Sequence, residues 1–473
     1  MTKDQTNAAE GARTTGRRPF LRNLLLGAGA ATFGAGGVGA LARLARGQDA
    51  PAPEDRFYVF AYFSGGWDVL LGLDPRDPGV FNSEQVGVTR IQPAYENLAI
   101  PDLAPVALSE DVVVGPFLGE LATSTLADGT PIWQRMAIVR GMSMDTLPHE
   151  VGRRRFLTGK APSGLTARGS TGSAWLANRF GAERLIPNLS VRVEAFNPDL
   201  PTEVSALQVS GPDDLASLLR RRDPTLEPEV DALLATFQDD EASCERTLGS
   251  PILRSADSAQ RRMRQVLEAD LQALFDFRTN TPEIVALRER YGFLPNQRSG
   301  SAAQAALAAQ ALAQGVARVV TIQAAGGLDT HFDNWEDDQG PSQQEGFDAI
   351  ARLAKHLSEL PYGDTGESLL DRTVIVGFSE FSRTPLINQR GGRDHWLTNS
   401  CFLLGGNVNG GRVIGKSSDV GMSPQPVDLT TGRVSPDGEV IRPEHILRTL
   451  LVDSGLEEDE ADLRVDPVPA LIG

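Results

Sequence analysis

A chain of 473 residues with 41% hydrophobic and 23% charged residues has room for one large domain or two ordinary ones, and is not a disordered polymer. Its formal net charge of -17 argues against a nucleic-acid partner and leaves no basic face for a membrane surface. Two cysteines, Cys244 and Cys401, exclude a disulfide scaffold and any Cys-x-x-Cys zinc or redox site. An oxidising compartment would allow one bridge, but two separate small buried residues are the expectation.

The chain begins with a basic segment. Residues 1–47 hold seven Lys or Arg and two acids, so the remainder, with 38 basic and 60 acidic side chains, stands near -22. In "TTGRRPFLRNLLLGAGAATFGAGGVGALARLARG" the pair Arg17 and Arg18 is followed by Phe20, Leu21 and Arg22, then by an apolar run with six glycines and two more arginines. This resembles a twin-arginine (Tat) signal, with Gly16 as the departure from its pattern. The resemblance implies the Tat machinery as a partner, a periplasmic or secreted destination, a leader over 1–47 and a joint over 48–56. A membrane anchor is the alternative, weakened by the glycines. Gly34-x-Gly36-x-x-Gly39 nominally matches a dinucleotide fingerprint, but no strand precedes it and no fitting acid follows.

"FYVFAYF" (57–63) reads as a buried strand ending in a glycine turn and an acid, "SGGWD", and "MAIVRGMS" (136–143) as another strand. Residues 185–210 mix short β-like runs with prolines. Residues 212–292 turn strongly helical and read as an insertion, or as a cap over a site. After 300, helices alternate with near-continuous apolar strands: "ARVVTIQAAGG", "RTVIVGFSEF" and "NSCFLLGG". That alternation predicts an α/β fold over 57–473, a mainly parallel sheet with helices on both faces. The Gly/Pro/Asp-rich stretch 405–440 reads as irregular surface.

In such sheets ligands bind beyond the carboxyl ends of the strands. Asp68 follows the first strand. Asp329 and His331 ("GGLDTH") and Glu380 ("GFSEF") follow two later ones. Asp394 and His395 ("GGRDHW") come just before another, with Arg393 expected to be oriented by an acid or an anion. These six acids and imidazoles are predicted to converge as ligands for one or two divalent ions, such as zinc, manganese or calcium. His356, inside an amphipathic helix, and His445, near the start of the last helix, read as structural. His149 differs, because it precedes the arginine cluster 153–155, and Arg153 is suited to hold phosphate, sulfate or carboxylate.

The leader, "SGGWD", "LDTH", "SEFSRTP" followed by "GGRDHW", and "GGNVNGGRVIGK" together resemble the Tat-exported proteins called domain of unknown function 1501, in the alkaline phosphatase-like superfamily with the sulfatases. The resemblance implies a parallel-rich sheet and two metal ions. It places Asp68 as the early acid ligand, Asp329 and His331 as an Asp/His pair, and Glu380 as a strand-end acid, with Phe381 where a histidine is expected. His395, beside Asp394, resembles the late histidine. "HEVGRRRFLTG" is similar to the sulfatase nucleophile segment, with Arg153 matching and His149 in place of Cys, Ser or Thr. Two functions follow. One is an exported metal-dependent hydrolase acting on a phosphate or sulfate ester or similar small anion, with His149 as nucleophile, acid/base or ligand and Arg153 on the anion. The other is a non-catalytic exported protein that binds a metal or a cell-surface ligand through a degenerate site.

Overall fold

The computed structural model describes residues 55–181, 184–220 and 271–473, with scattered positions between 227 and 265. The expected leader, all but the last two residues of the 48–56 joint, and Cys244 lie outside the described residues. Eight strands form the main sheet. They are β1 Phe57–Phe63, β2 Met136–Ser143, β3 Ile186–Val191, β4 Leu207–Val209, β5 Ala317–Ala325, β6 Thr373–Ser379, β7 Thr398–Gly405 and β8 Arg412–Ile414. Their order is β8-β2-β7-β6-β1-β5-β3-β4. Every neighbouring pair is parallel except the two made by β7. This is the mainly parallel α/β sheet that the alternation of apolar strands and helices predicts.

The strands are apolar on both sides because helices cover both sides. Along β1, Phe57, Val59, Ala61 and Phe63 enter one core cluster, while Tyr58, Phe60 and Tyr62 enter the other. The first cluster is closed by α3 Pro212–Leu218, α4 Pro282–Tyr291, α5 Ser301–Ala313 and α6 Gly340–Glu359. The second is closed by α1 His149–Thr158, α2 Gly172–Phe180 and α7 Pro443–Asp453. The described ends of the helical segment 212–292, α3 and α4, are thus part of the core on one sheet face. No helix among the described residues is long and apolar enough to cross a membrane. The stretch 405–440 differs from its reading as irregular surface, because its start contributes edge strand β8. Three residues between glycines carry too little periodicity to show as a strand.

The two bland histidines are packed as expected. His445 is fully buried in the first turn of α7, where its Nδ1 accepts from the backbone N–H of Arg442 at 3.2 Å. His356 lies 3.1 Å through Nδ1 from the Tyr291 hydroxyl. Burial pushes His356 down to about 4, with Arg290 adding to the shift. The unfolded histidine titrates near 6.5, so between those values the unfolded chain binds the extra proton. Stability present above pH 6.5 is therefore lost as pH falls toward 4. Urea denaturation is expected to show about 2 kcal/mol less stability at pH 5 than at pH 7 from this one group, a difference that His356→Gln removes.

Candidate metal centre

One edge of the sheet collects the chemistry. Strands β1, β5 and β6 run the same way and end there. Antiparallel β7 begins there, so the residues just before it, "GGRDHW", join the loops that follow the other strands. Helix α1 adds its first residue, His149, after an extended Pro148. Phe156 of α1 stacks on Phe378 of β6 with ring centroids 4.1 Å apart. Gly152 brings the helix so close that a Cβ there would collide with the carbonyl oxygen of Glu380. Glycines permit the other approaches as well. Gly65, at φ +114°, leaves no room for a Cβ against the backbone of Leu328 and Asp329, and a Cβ on Gly392 would collide with the backbone of His331 and Phe332.

Three imidazoles converge on one carboxylate oxygen. Asp329 Oδ1 lies 3.4 Å from His149 Nε2, 3.0 Å from His331 Nε2 and 3.3 Å from His395 Nε2. The opposite nitrogen of each ring faces an acceptor. His149 Nδ1 is 2.7 Å from Glu380 Oε1, His331 Nδ1 is 2.9 Å from Asp394 Oδ1, and His395 Nδ1 is 2.8 Å from the carbonyl oxygen of Leu147. A carboxylate or carbonyl oxygen cannot donate, so each Nδ1 is placed to carry a proton, while Asp329 Oδ1 offers each Nε2 an acceptor as well. With the proton on Nδ1, neutral rings present all three Nε2 lone pairs inward. His331 Nε2 and His395 Nε2 stand only 2.9 Å apart, so with both Nδ1 atoms protonated either a shared proton or a bound cation lies between them. Donor atoms of His149, Asp329 and His395 lie within 4.8 Å of one another, compact enough for one ion. The residues therefore fit a divalent metal, with histidine ring N–H groups held as metal-binding histidines hold them.

The structure brings six of the eight expected residues together, in two rings rather than one. His149, Asp329, His331 and His395 supply the inner atoms. Glu380 and Asp394, expected as ligands, instead each hold a histidine Nδ1. Glu380 is fixed by the Gly65 N–H at 2.9 Å and the Ser379 hydroxyl at 2.9 Å. Asp394 also accepts from Asn388 Nδ2 at 3.1 Å. Asp68 is elsewhere, fully buried, with Oδ2 at 3.1 Å from Arg393 Nε and 2.9 Å from Trp335 Nε1. Arg153 donates through Nε to Glu194 at 2.9 Å, an acid that also takes Arg154, so an anion at Arg153 has a built-in competitor.

A family profile described as "Protein of unknown function (DUF1501)" matches residues 119–431. The chain belongs to the DUF1501 family. The matched span contains every residue of the imidazole cluster and both acids that brace it, while Asp68 lies before it. No curated protein matches the chain.

Electrostatics in this DUF1501 protein keep the inner acid charged. Desolvation raises Asp329, but the Arg383 guanidinium, 2.7 Å away and wholly buried, overrides it and holds the carboxyl down at about 2. Burial lowers His395, and Arg383 lowers it further, which favours the neutral ring. His149 is pushed down by burial yet ends above its ordinary value, because the Glu380 hydrogen bond and the charges of Glu380 and Asp329 favour a positive charge on the ring. Three contributors escape a reading of the sequence: Arg383, the Leu147 carbonyl and the Gly65 N–H. Arg383 had a signal, an arginine three residues past a strand-end acid in "SEFSR". The two backbone groups had none. Exposed Leu147, Phe332 and Leu397 sit next to or two residues from cluster histidines, giving the cluster an apolar border in sequence.

Proposed function

We propose that this protein is exported through its twin-arginine leader and is a metal-dependent hydrolase-like member of the alkaline phosphatase-like superfamily, acting on a phosphate or sulfate ester or a similar small anion. The observation that carries the metal is the set of three Nε2 atoms turned inward around Asp329, each ring held by an acceptor on its far side. A divalent ion bound there would supply electrophilic polarisation of the ester. The chain's own residues do the rest. His149, His331 and His395 hold the ion through Nε2, Asp329 adds charge, and Glu380, Asp394 and the Leu147 carbonyl fix the ring tautomers. Arg383 keeps Asp329 ionised from a water-free position. His149 stands at the place of the sulfatase nucleophile, but its Nδ1 is tied to Glu380, which favours the ligand role among those open to it.

Two observations favour the second reading, a metal- or ligand-binding protein without turnover. Arg153 is paired with Glu194. Phe381 stands where the superfamily has a second-site histidine, and its ring packs 4.1 Å from that of His395 and 4.8 Å from that of His149. One ion rather than two follows from that packing. The test is hydrolysis of p-nitrophenyl phosphate and p-nitrophenyl sulfate by full-length protein loaded in turn with zinc, manganese and calcium. Turnover is expected with at least one ion, falling by about 100-fold or more in His149→Ala. Metal-loaded protein inert toward both ester classes would leave the binding reading.

A further inference from the structure

At the far end of the sheet a cleft of ≈ 510 Å³ lies against edge strand β8. It is walled by part of "GGNVNGGRVIGK" (405–416), a motif the imidazole cluster does not use, and by the loop 431–434. The strand register separates the two places. Arg412 pairs with Ala137 near the start of β2, whereas the cluster lies beyond Ser143 at its end. Six residues of strand put Arg412 about 20 Å from that end, while Arg140 and Lys416, on the near side of the cleft, stand closer to it. Glycines mould this wall too. Gly411, Gly415 and Gly432 have φ of +70°, +72° and +74°, and a Cβ on Gly410 would collide with the Gln134 carbonyl oxygen.

The charge in the cleft is unbalanced. Arg76, Arg140, Arg412, Lys416 and Arg433 line it. Three acids face them. Asp74 is buried, 2.7 Å from Arg76 Nη1 and 3.7 Å from Arg140 Nε, and it also takes the Ser417 hydroxyl. Asp419 takes Lys416 at 2.7 Å and stands 3.5 Å from Arg76 Nε. Asp111 lines the cleft without an ion pair among the described residues. Arg140 has carbonyl partners, Leu73 and Val113, and Arg412 has distant ones, Ala470 at 3.5 Å and Thr431 at 3.4 Å. Neither Arg412 nor Arg433 meets a carboxylate among the described residues. The cleft is positive on a chain whose net charge is -17.

We propose that this cleft is a second ligand site, for the phosphoryl or sulfuryl oxyanion of a small solute, with Arg412 and Arg433 as the groups that grip it. Guanidinium forks match such oxyanions in pairs of hydrogen bonds. Arg76 and Arg140, fixed beneath by carbonyls and the shared Asp74, with Asp419 at the rim against Arg76, set the floor. The volume is that of a small-molecule pocket. The site is independent of the imidazole cluster and of any metal there.

Isothermal titration calorimetry with inorganic phosphate and inorganic sulfate, in chloride buffer at constant ionic strength, tests this on the full chain. After treatment with a chelator, which removes any anion held through the metal, wild type and His395→Ala are expected to bind alike. Arg412→Ser/Arg433→Ser is expected to bind more than about tenfold more weakly. Arg433 is exposed, so the single Arg433→Ser variant, expected to weaken binding in the same direction, guards against a folding artefact. Absence of binding in wild type, or equal binding in wild type and the double variant, overturns the proposal. Binding lost in His395→Ala but kept in the double variant does so too, by moving the anion to the imidazole cluster.

Discussion

His395→Ala is expected to lose its divalent ion on purification, while wild type retains close to one equivalent by elemental mass spectrometry. Removing one of three imidazoles deletes an inner atom and frees the Leu147 carbonyl. Asp394→Asn is the finer probe. It keeps an oxygen near His331 Nδ1 but removes the charge that orients and enriches the ring, and a loss of that kind costs about 10–100-fold in metal affinity. His395→Ala should cost more than that, measured by competition with a chelator. The ranking matters, because a merely acidic surface would lose affinity by charge alone, making Asp394→Asn as damaging as His395→Ala. Wild type without metal after exchange against zinc, manganese and calcium would mean that the three rings share protons instead.

The layers of this molecule were legible in its sequence, and so was the edge on which the chemistry falls. Apolar runs such as "TVIVGFS" must be buried on both faces, which forces helices onto both sides of the sheet. Once the strands are placed, the strand-end rule brings Asp329, His331, Glu380, Asp394 and His395 to one rim. Sequence does not say which ring nitrogen faces inward. The division of Glu380 and Asp394 from the inner atoms depends on where His149 and His331 put Nδ1, and that is set by Gly152 and Gly392 letting backbones touch. Nor does sequence separate an acid that faces an ion from one that faces a buried arginine. Asp68 and Asp329 both follow strands, and only the fold puts Arg393 against one and Arg383 with three imidazoles against the other.

Asp68→Ala is expected to be the most destabilising single change at this end of the sheet, and to leave the metal in place. Arg393 is wholly buried, its guanidinium donating to the carbonyls of Thr384 at 2.7 Å, Gln92 at 2.6 Å and Pro93 at 3.0 Å, and lying over Trp335 at 4.6 Å. Those contacts satisfy hydrogens but supply no negative charge. Burial already pushes the guanidinium down, and Asp68 is the strongest influence holding it charged. Deleting one partner of a buried pair leaves an uncompensated ion and costs about 3–5 kcal/mol. It also strands the Trp335 N–H and the Leu70 N–H, which donate to the two Asp68 oxygens at 2.9 and 3.0 Å. Asp68→Asn keeps the shape and one acceptor, so it should fall between wild type and alanine in urea denaturation. Metal per folded chain should equal wild type in Asp68→Asn. Loss of metal there, with stability nearly kept, would instead return Asp68 to the ligand role that the superfamily resemblance assigns it, and the Arg393 pair would then be only one of its states.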